Sequence, residues 1–163
     1  MAREHAREVI AQALEDQLVN TYQRLRVREA YAPVGEQIGR RALANACLSY
    51  LASRADAGVA LAQTQLGEAD NLTDRLAALK VLAEEGDDAL CESVLDTFYQ
   101  DWSHETLVVN QWLQLQAMLT RGDSLARVQA LMQHPAFNLD NPNKVRAVVG
   151  AFASGNPTGF HRA

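Results

Sequence analysis

The chain has 163 residues, of which 48% are hydrophobic and 21% are charged, a composition typical of a globular protein. Its net charge of -5 argues against nucleic-acid binding, which usually requires a basic face. No run of 18 apolar residues occurs, so we predict no membrane-spanning segment. Only 9 glycines and 4 prolines accompany many alanines and leucines, and this balance favours helices over strands.

Apolar residues recur at helical spacing along the first half of the chain. The first helix is predicted from five apolar residues spaced by three or four: Ile10, Leu14, Leu18, Tyr22 and Leu25. Pro33 is predicted to lie near the first turn of the second helix, which continues to Leu51. Gly58 interrupts the pattern, and a shorter helical segment over 59–66 is predicted to end at Gly67 as a C-cap.

Helix start signals divide the second half of the chain. Asn71 is predicted to cap a helix, and Asp74, three residues later, favours the positive helix end. Ser103 is predicted to cap another helix with Glu105 in its first turn. Further helices are predicted to begin at Asp87 or Asp88, after Gly122-Asp123, and at Asn141, which Pro142 follows at the first helical position.

The last predicted helix has a short apolar face. It is formed by residues at positions i, i+3, i+4 and i+7: Val145, Val148, Val149 and Phe152. Arg146 follows Val145 by one residue, about 100° around the helix, near the edge of that face. An arginine held there suits carboxylate or carbonyl recognition, although the spacing alone favours an ordinary flanking charge.

The whole pattern predicts an all-α protein, a single helical domain over residues 1–163. About eight helices with short connections and one apolar stripe each favour antiparallel pairs stacked as an irregular superhelix, a HEAT- or armadillo-like solenoid. No strict sequence repeat occurs, so the array is expected to be irregular. An irregular globular helix bundle is the alternative.

Few residues have a pattern that points to chemistry. His104-Glu105 begins like the zinc-peptidase motif His-Glu-x-x-His, but Val108 replaces the second histidine and cannot bind metal. The pair is therefore interpreted as a helix start, and no metal ligand or catalytic residue is predicted in this chain. The other histidines, far apart in sequence, are interpreted as surface or capping groups: His5, His134 and His161.

The two cysteines and the N-terminus bear on the cellular compartment. Cys47 and Cys91 each lie inside a helical pattern, far apart in sequence, and neither belongs to a metal or nucleophile motif. They are predicted to be small buried side chains in a reducing compartment. The first eight residues lack the apolar core of a signal peptide. We therefore predict a cytoplasmic protein.

Four stretches together resemble the C-terminal helical domain of the bacterial aminopeptidase N family, zinc-dependent alanyl aminopeptidases of the gluzincin class. They are RALANACL at 41–48, EADNLTDRLAAL at 68–79, the aromatic run from Phe98 to Ala117, and the segment 141–161, which includes NPNKVR and GAFASGNP. The resemblance covers nearly the whole chain. It implies an irregular superhelix of paired helices, in agreement with the periodicity.

The resemblance also implies a function. In that family the zinc ligands and the substrate-amine motif belong to a separate catalytic domain, and none of those motifs occurs in this sequence. The chain is thus expected to be a non-catalytic cap, without cofactor, that closes over the active site and helps to enclose the peptide being trimmed. Its expected partners are the catalytic domain of the parent chain and the peptide substrate, with zinc present only in the parent enzyme.

The family's Asn-Pro-Asn-basic-x-Arg segment carries the expected site. Arg146 matches the arginine that reaches toward the active-site cavity and the bound peptide, so the resemblance implies a substrate-binding residue. Asn141 and Asn143 lie in the same loop and are expected to shape it. Lys144 stands where a relative has arginine, a difference that keeps the charge but loses the planar fork.

Two further expectations follow from the resemblance and the helical pattern. The family continues past Phe160-His161 into more helices, so the chain is expected to be a fragment that self-associates through its truncated end. The rival hypothesis is a free-standing helical-repeat scaffold that binds a protein or peptide partner, as solenoids commonly do. A metallo-hydrolase in its own right would depend only on His104-Glu105.

Overall fold

The computed structural model describes residues 2–54 and 56–162, and these residues form helices without any strand. Two compact units are present, divided between Asp87 and Asp88. The first unit contains α1 (Ala2–Ala13), α2 (Glu15–Leu25), α3 (Gly35–Ala52), α4 (Asp56–Glu68) and α5 (Leu72–Glu85). The second contains α6 (Asp88–Trp102), α7 (Thr106–Ala117), α8 (Ser124–Gln133), α9 (Pro142–Val145), a π-helix (Arg146–Gly150), α10 (Ala151–Gly155) and α11 (Pro157–Phe160).

The all-α prediction is confirmed, and eight helices of ten or more residues occur within the described ranges. None of these described helices is long and apolar enough to cross a membrane. The prediction of a single domain over residues 1–163 stays a prediction.

In the first unit, α3 is the central helix and contacts α2, α4 and α5. Large side chains with less than 2% exposure form its core: Tyr22, Leu48, Leu79 and Leu82. At Gly58 the start of α4 approaches the end of α3 so closely that an added Cβ would lie 2.5 Å from backbone atoms of Leu51 and Ala52. The glycine that interrupts the sequence pattern is therefore a contact point between two helices.

Several predicted boundaries in this unit differ from the structure. The stripe from Ile10 to Leu25 is split into α1 and α2 at Leu14, where the backbone leaves the helical region with φ -119° and ψ 17°. Ile10 is 42% exposed, so the predicted face was partly wrong. Pro33 precedes α3 without entering it, because Val34 is the N-cap, and Gly67 lies inside α4.

Side-chain caps begin helices at three of the predicted positions. Asn71 accepts the backbone N–H of Asp74 at 3.0 Å, and Asp123 accepts that of Ala126 at 2.9 Å. Asn141 also caps its helix, with Pro142 at the first position. These caps agree with the sequence prediction because they depend only on local chemistry.

The predicted cap at Ser103 was wrong. The helix α7 begins three residues later, at Thr106, and its N-cap is Glu105 without a side-chain capping bond. The Ser103 hydroxyl donates instead to the carbonyl of Gln100 at 3.5 Å, at the end of the preceding helix. The Ser103 side chain thus ends the preceding helix, and α7 begins without a side-chain cap.

In the second unit, α7 contacts α6, α8 and the π-helix, and the indole of Trp112 donates to the carbonyl of Leu95 at 2.9 Å. The π-helix changes which residues of the last predicted helix are buried. Val148 is fully buried, whereas Val149 is 39% exposed. Lys144, which lay outside the predicted face, is buried. A π turn closes its hydrogen bonds over five residues instead of four, so the apolar pattern no longer follows the ordinary helical period.

Candidate functional site

Three of the predicted site residues lie together at the start of the last helical segment. The side-chain oxygen of Asn141 accepts the backbone N–H of Asn143 at 3.0 Å and thereby caps α9. The side-chain oxygen of Asn143 accepts a hydrogen bond from Nη1 of Arg146 at 3.3 Å. The cap therefore fixes the turn from which Asn143 contacts the arginine.

Arg146 and Asn143 line a groove of about 420 Å³ in the second unit. Asn110 and Gln114 of α7 form one wall. The other wall follows the π-helix and α10, and its remaining lining residues are small: Ala147, Gly150, Ala151 and Ser154. We call this feature the α7–π groove.

The α7–π groove has one charged lining residue, the exposed Arg146, and its lining contains no carboxylate. Among the described residues no carboxylate lies within ion-pair distance of the Arg146 guanidinium. Its one hydrogen bond to a described side chain goes to the neutral Asn143. A guanidinium has five N–H donors in a planar fork, so most of them remain available for a ligand. The groove therefore suits a carbonyl or carboxylate group.

Lys144 has a different environment from its neighbours. Its side chain is only 8% exposed and is absent from the described lining of the α7–π groove. Burial lowers the pKa of the Lys144 amine because a buried ammonium loses solvation. A direct contact between Lys144 and substrate stays a prediction.

Comparison with known proteins shows the family to which this chain belongs. A family described as "Domain of unknown function (DUF3458_C) ARM repeats" matches residues 1–163. The chain belongs to this ARM-repeat family. The match confirms the predicted armadillo-like fold class.

Relatives with curated names are similar over almost the whole chain. Aminopeptidase N of Haemophilus influenzae is 38% identical over 161 residues, and Aminopeptidase N of Escherichia coli is 37% identical over 161 residues. Each alignment covers 98% of this chain and 18% of the relative, within the C-terminal part of that protein. The resemblance to aminopeptidase N is thus confirmed, and the chain spans less than a fifth of those relatives.

A solved structure supports the same conclusion. The Legionella pneumophila aminopeptidase A in complex with aspartic acid superposes with a TM-score of 0.84 at 30% identity, covering 98% of this chain and 20% of that one. The ARM-repeat chain therefore shares its helical arrangement with one part of a larger aminopeptidase.

The sequence did not single out Asn110, Gln114, Gly150 or Ser154 as site residues. A weak signal was present for the first two, because they lie four residues apart on one face of α7, but Gln111 and Gln116 nearby give the same helix other polar positions. The sequence does not show which helix α7 faces. That pairing depends on the π-helix, which has no recognisable residue pattern here.

The remaining candidates for chemistry do not converge on a second reactive site. His104 and Glu105 are both exposed, with 4.0 Å between Nε2 and Oε1. No group of three or more His, Cys, Asp or Glu residues in the described part of the chain is placed to hold a metal ion. Cys47 and Cys91 are buried, and burial raises the pKa of each thiol, which keeps it protonated.

A second cavity, of about 370 Å³, lies in the first unit and is polar. The Tyr22 hydroxyl donates to Gln65 at 3.1 Å, and the Gln65 amide donates to Asn45 at 2.8 Å. Asn45 then donates to the Asp74 carboxylate at 2.8 Å, which Asn71 also contacts. These groups satisfy one another, so the network joins α2 to α5.

Proposed function

We propose that this ARM-repeat chain is a non-catalytic helical cap of a zinc-dependent aminopeptidase N, which closes over the active site and helps to enclose the peptide trimmed from its N-terminus. The proposal is supported by relatives named Aminopeptidase N, which match 98% of the chain within their C-terminal part. Catalysis and zinc binding would belong to the catalytic domain of the same parent chain, the expected partner of this segment. The buried thiols fit a cytoplasmic protein.

The observation that carries the proposal is the Arg146 guanidinium, which lines a groove without any acidic residue. A peptide substrate presents carbonyl oxygens and a C-terminal carboxylate, and both are acceptors for the fork of an arginine. In this proposal Asn143 orients the guanidinium through the 3.3 Å hydrogen bond, and Asn141 fixes the turn as the helix cap. Lys144 would support this turn from the buried side.

Photocrosslinking in a full-length aminopeptidase that carries this chain tests the location of the peptide. A peptide inhibitor with a benzophenone group at its third or later residue should crosslink to the lining residues between 143 and 154. Mass spectrometry of the digested enzyme locates the crosslink. Crosslinks found elsewhere in the enzyme, with none in the α7–π groove, would rule out a peptide contact at Arg146.

The isolated chain is expected to have no peptidase activity, because the zinc motif is interrupted at Val108. The assay adds zinc and a chromogenic alanyl amide to the purified chain. A double variant, His104→Ala with Glu105→Ala, is the matched control for the one partial motif. Turnover that persists in this variant after repeated purification would contradict the assignment as a non-catalytic segment.

A free-standing scaffold that binds a protein or peptide partner is the second candidate, and the same α7–π groove favours it. The two candidates differ in what the gene encodes beside this segment. An upstream catalytic domain in the same reading frame would support the cap, whereas an independent gene of this length would support the scaffold.

A further inference from the structure

The wall of the α7–π groove that α7 forms carries two side-chain amides in register. Asn110 and Gln114 are four residues apart, which places them on one face of the helix. Four residues of α-helix rise by about 6 Å. Two residues of an extended peptide advance by roughly 6.6 to 6.8 Å. The two amides are therefore spaced to contact alternate residues of an extended chain that lies along α7.

Both amides retain hydrogen-bonding capacity. The side-chain oxygen of Asn110 is buried and has no hydrogen-bond partner among the described residues. The Gln114 amide nitrogen makes only a weak contact, 3.9 Å from the sulfur of Met118. That oxygen is shielded from the groove, so the part of Asn110 offered to a ligand is its amide nitrogen, a hydrogen-bond donor. Each side-chain amide has both a donor and an acceptor, as a peptide group does.

The opposite wall leaves space for such a chain. Gly150 has no side chain, and a Cβ added there would meet only Cβ of Arg146, at 3.8 Å. The Ser154 hydroxyl donates to the carbonyl of Gly150 at 2.8 Å, so its hydrogen is used within the wall itself. The wall is therefore shallow between Arg146 and Ser154, with the charge at one end.

We propose that the α7–π groove binds the main chain of an extended peptide, with Asn110 and Gln114 paired to the peptide groups of alternate residues and Arg146 bound to a carbonyl or carboxylate oxygen. This inference rests on the proposed contact between peptide and Arg146 and adds the residues that hold the rest of the segment. The side-chain amides contact the peptide backbone and not its side chains, so the groove accepts peptides with many different side chains. The groove requires of the peptide only an extended conformation and free backbone N–H groups.

The test uses the 163-residue chain and a fluorescein-labelled hexa-alanine peptide, with binding measured by fluorescence anisotropy. Asn110→Leu and Gln114→Leu replace an amide by an apolar side chain that differs by at most one heavy atom, and each should weaken binding by about five- to tenfold. Gln111→Leu is the matched control, because Gln111 is exposed on the same helix but outside the groove lining, and it should bind as the unmodified chain does. A hexa-alanine peptide N-methylated at alternate residues should bind at least tenfold more weakly.

The outcomes separate this inference from the proposed function. If Arg146→Ala abolishes binding while both amide variants bind normally, the main-chain pairing is wrong and the arginine contact stands. Equal affinity for the N-methylated peptide also overturns the pairing. If the unmodified chain binds no peptide at millimolar concentration, the main-chain pairing is overturned, whereas the cap function is tested separately in the full-length enzyme.

Gly150→Leu provides a variant that does not remove a buried polar group. The leucine would enter open space and fill the groove between its walls, so peptide binding should be lost while the helical circular dichroism spectrum is retained. Unchanged peptide affinity in a folded Gly150→Leu protein would show that the peptide does not occupy this groove.

Discussion

Gly58 allows the start of α4 to approach the end of α3 more closely than any other residue would, and its replacement tests this packing. In Gly58→Ala the new Cβ would lie 2.5 Å from the backbone of Leu51 and Ala52, about 1 Å inside ordinary contact distance. Backbone atoms inside a helix cannot rotate away as a side chain can, so the two helices must separate. Overpacking of this kind costs about 1 to 3 kcal/mol.

Two effects of opposite sign determine the net change. Alanine is favoured over glycine inside a helix by about 1 kcal/mol, which partly offsets the steric cost at Gly58. Gly67 provides the matched control, since it lies in the same helix and nothing is within 4 Å of its added Cβ. We expect Gly67→Ala to stabilise the protein, and Gly58→Ala to be less stable than Gly67→Ala by about 1 to 3 kcal/mol, which leaves a net destabilisation of up to about 2 kcal/mol.

Urea denaturation followed by circular dichroism measures both free energies of unfolding. The difference between the two variants cancels the propensity term and isolates the contact between α3 and α4. If Gly58→Ala is as stable as Gly67→Ala, the close approach of these helices is refuted.

The remaining predictions concern a histidine, a helix cap and association. Burial lowers the pKa of His134, against a smaller opposing effect of Asp96. The contribution of neutral His134 to stability is therefore complete above the unfolded-state pKa of 6.5, and it is lost as the pH falls below that value. His134→Gln should therefore reduce the loss of stability between pH 7.5 and 5, measured by urea titrations at each pH, and an unchanged loss would contradict the burial. Asn71→Ala should cost about 1 kcal/mol, because the N–H of Asp74 loses its capping acceptor, and a negligible change in the urea midpoint would show that the cap is unimportant. Self-association stays a prediction, motivated by exposed apolar side chains such as Leu139 and Phe160. Light scattering should detect a concentration-dependent mass, and a constant monomer mass would refute it.

The sequence predicted the helices where short-range chemistry determines them. Asn71 and Asn141 cap their helices through hydrogen bonds to residues two or three positions later, and such contacts need no knowledge of the remaining chain. Ser103 is also a residue favoured at helix N-caps, but its hydroxyl bonds to the preceding helix. Residue type alone cannot distinguish these alternatives, because both satisfy the hydroxyl group.

The sequence predicted only some of the residues of the candidate site, because the others are brought there by tertiary packing. Arg146 and Asn143 were predicted through a family resemblance, whereas the spacing of Arg146 alone indicated an ordinary flanking charge. Asn110 and Gln114 were not predicted, because their place in the groove lining depends on the helix that faces them. The π-helix sets that arrangement, and it follows from tertiary packing more than from any local residue preference.

Arg146 is also the residue on which the proposed cap function can be tested most directly, in a full-length aminopeptidase N that carries this chain. The measurement is kcat/KM for alanyl substrates from a single-residue amide to a hexapeptide, with Arg162→Ala as an exposed control outside the groove lining. We predict that Arg146→Ala lowers kcat/KM for the longer peptides by about tenfold or more, through loss of charge-assisted hydrogen bonds, while the single-residue amide and the thermal stability change little. Equal kcat/KM values for Arg146→Ala and Arg162→Ala at every peptide length would contradict the proposal that this chain contacts the substrate.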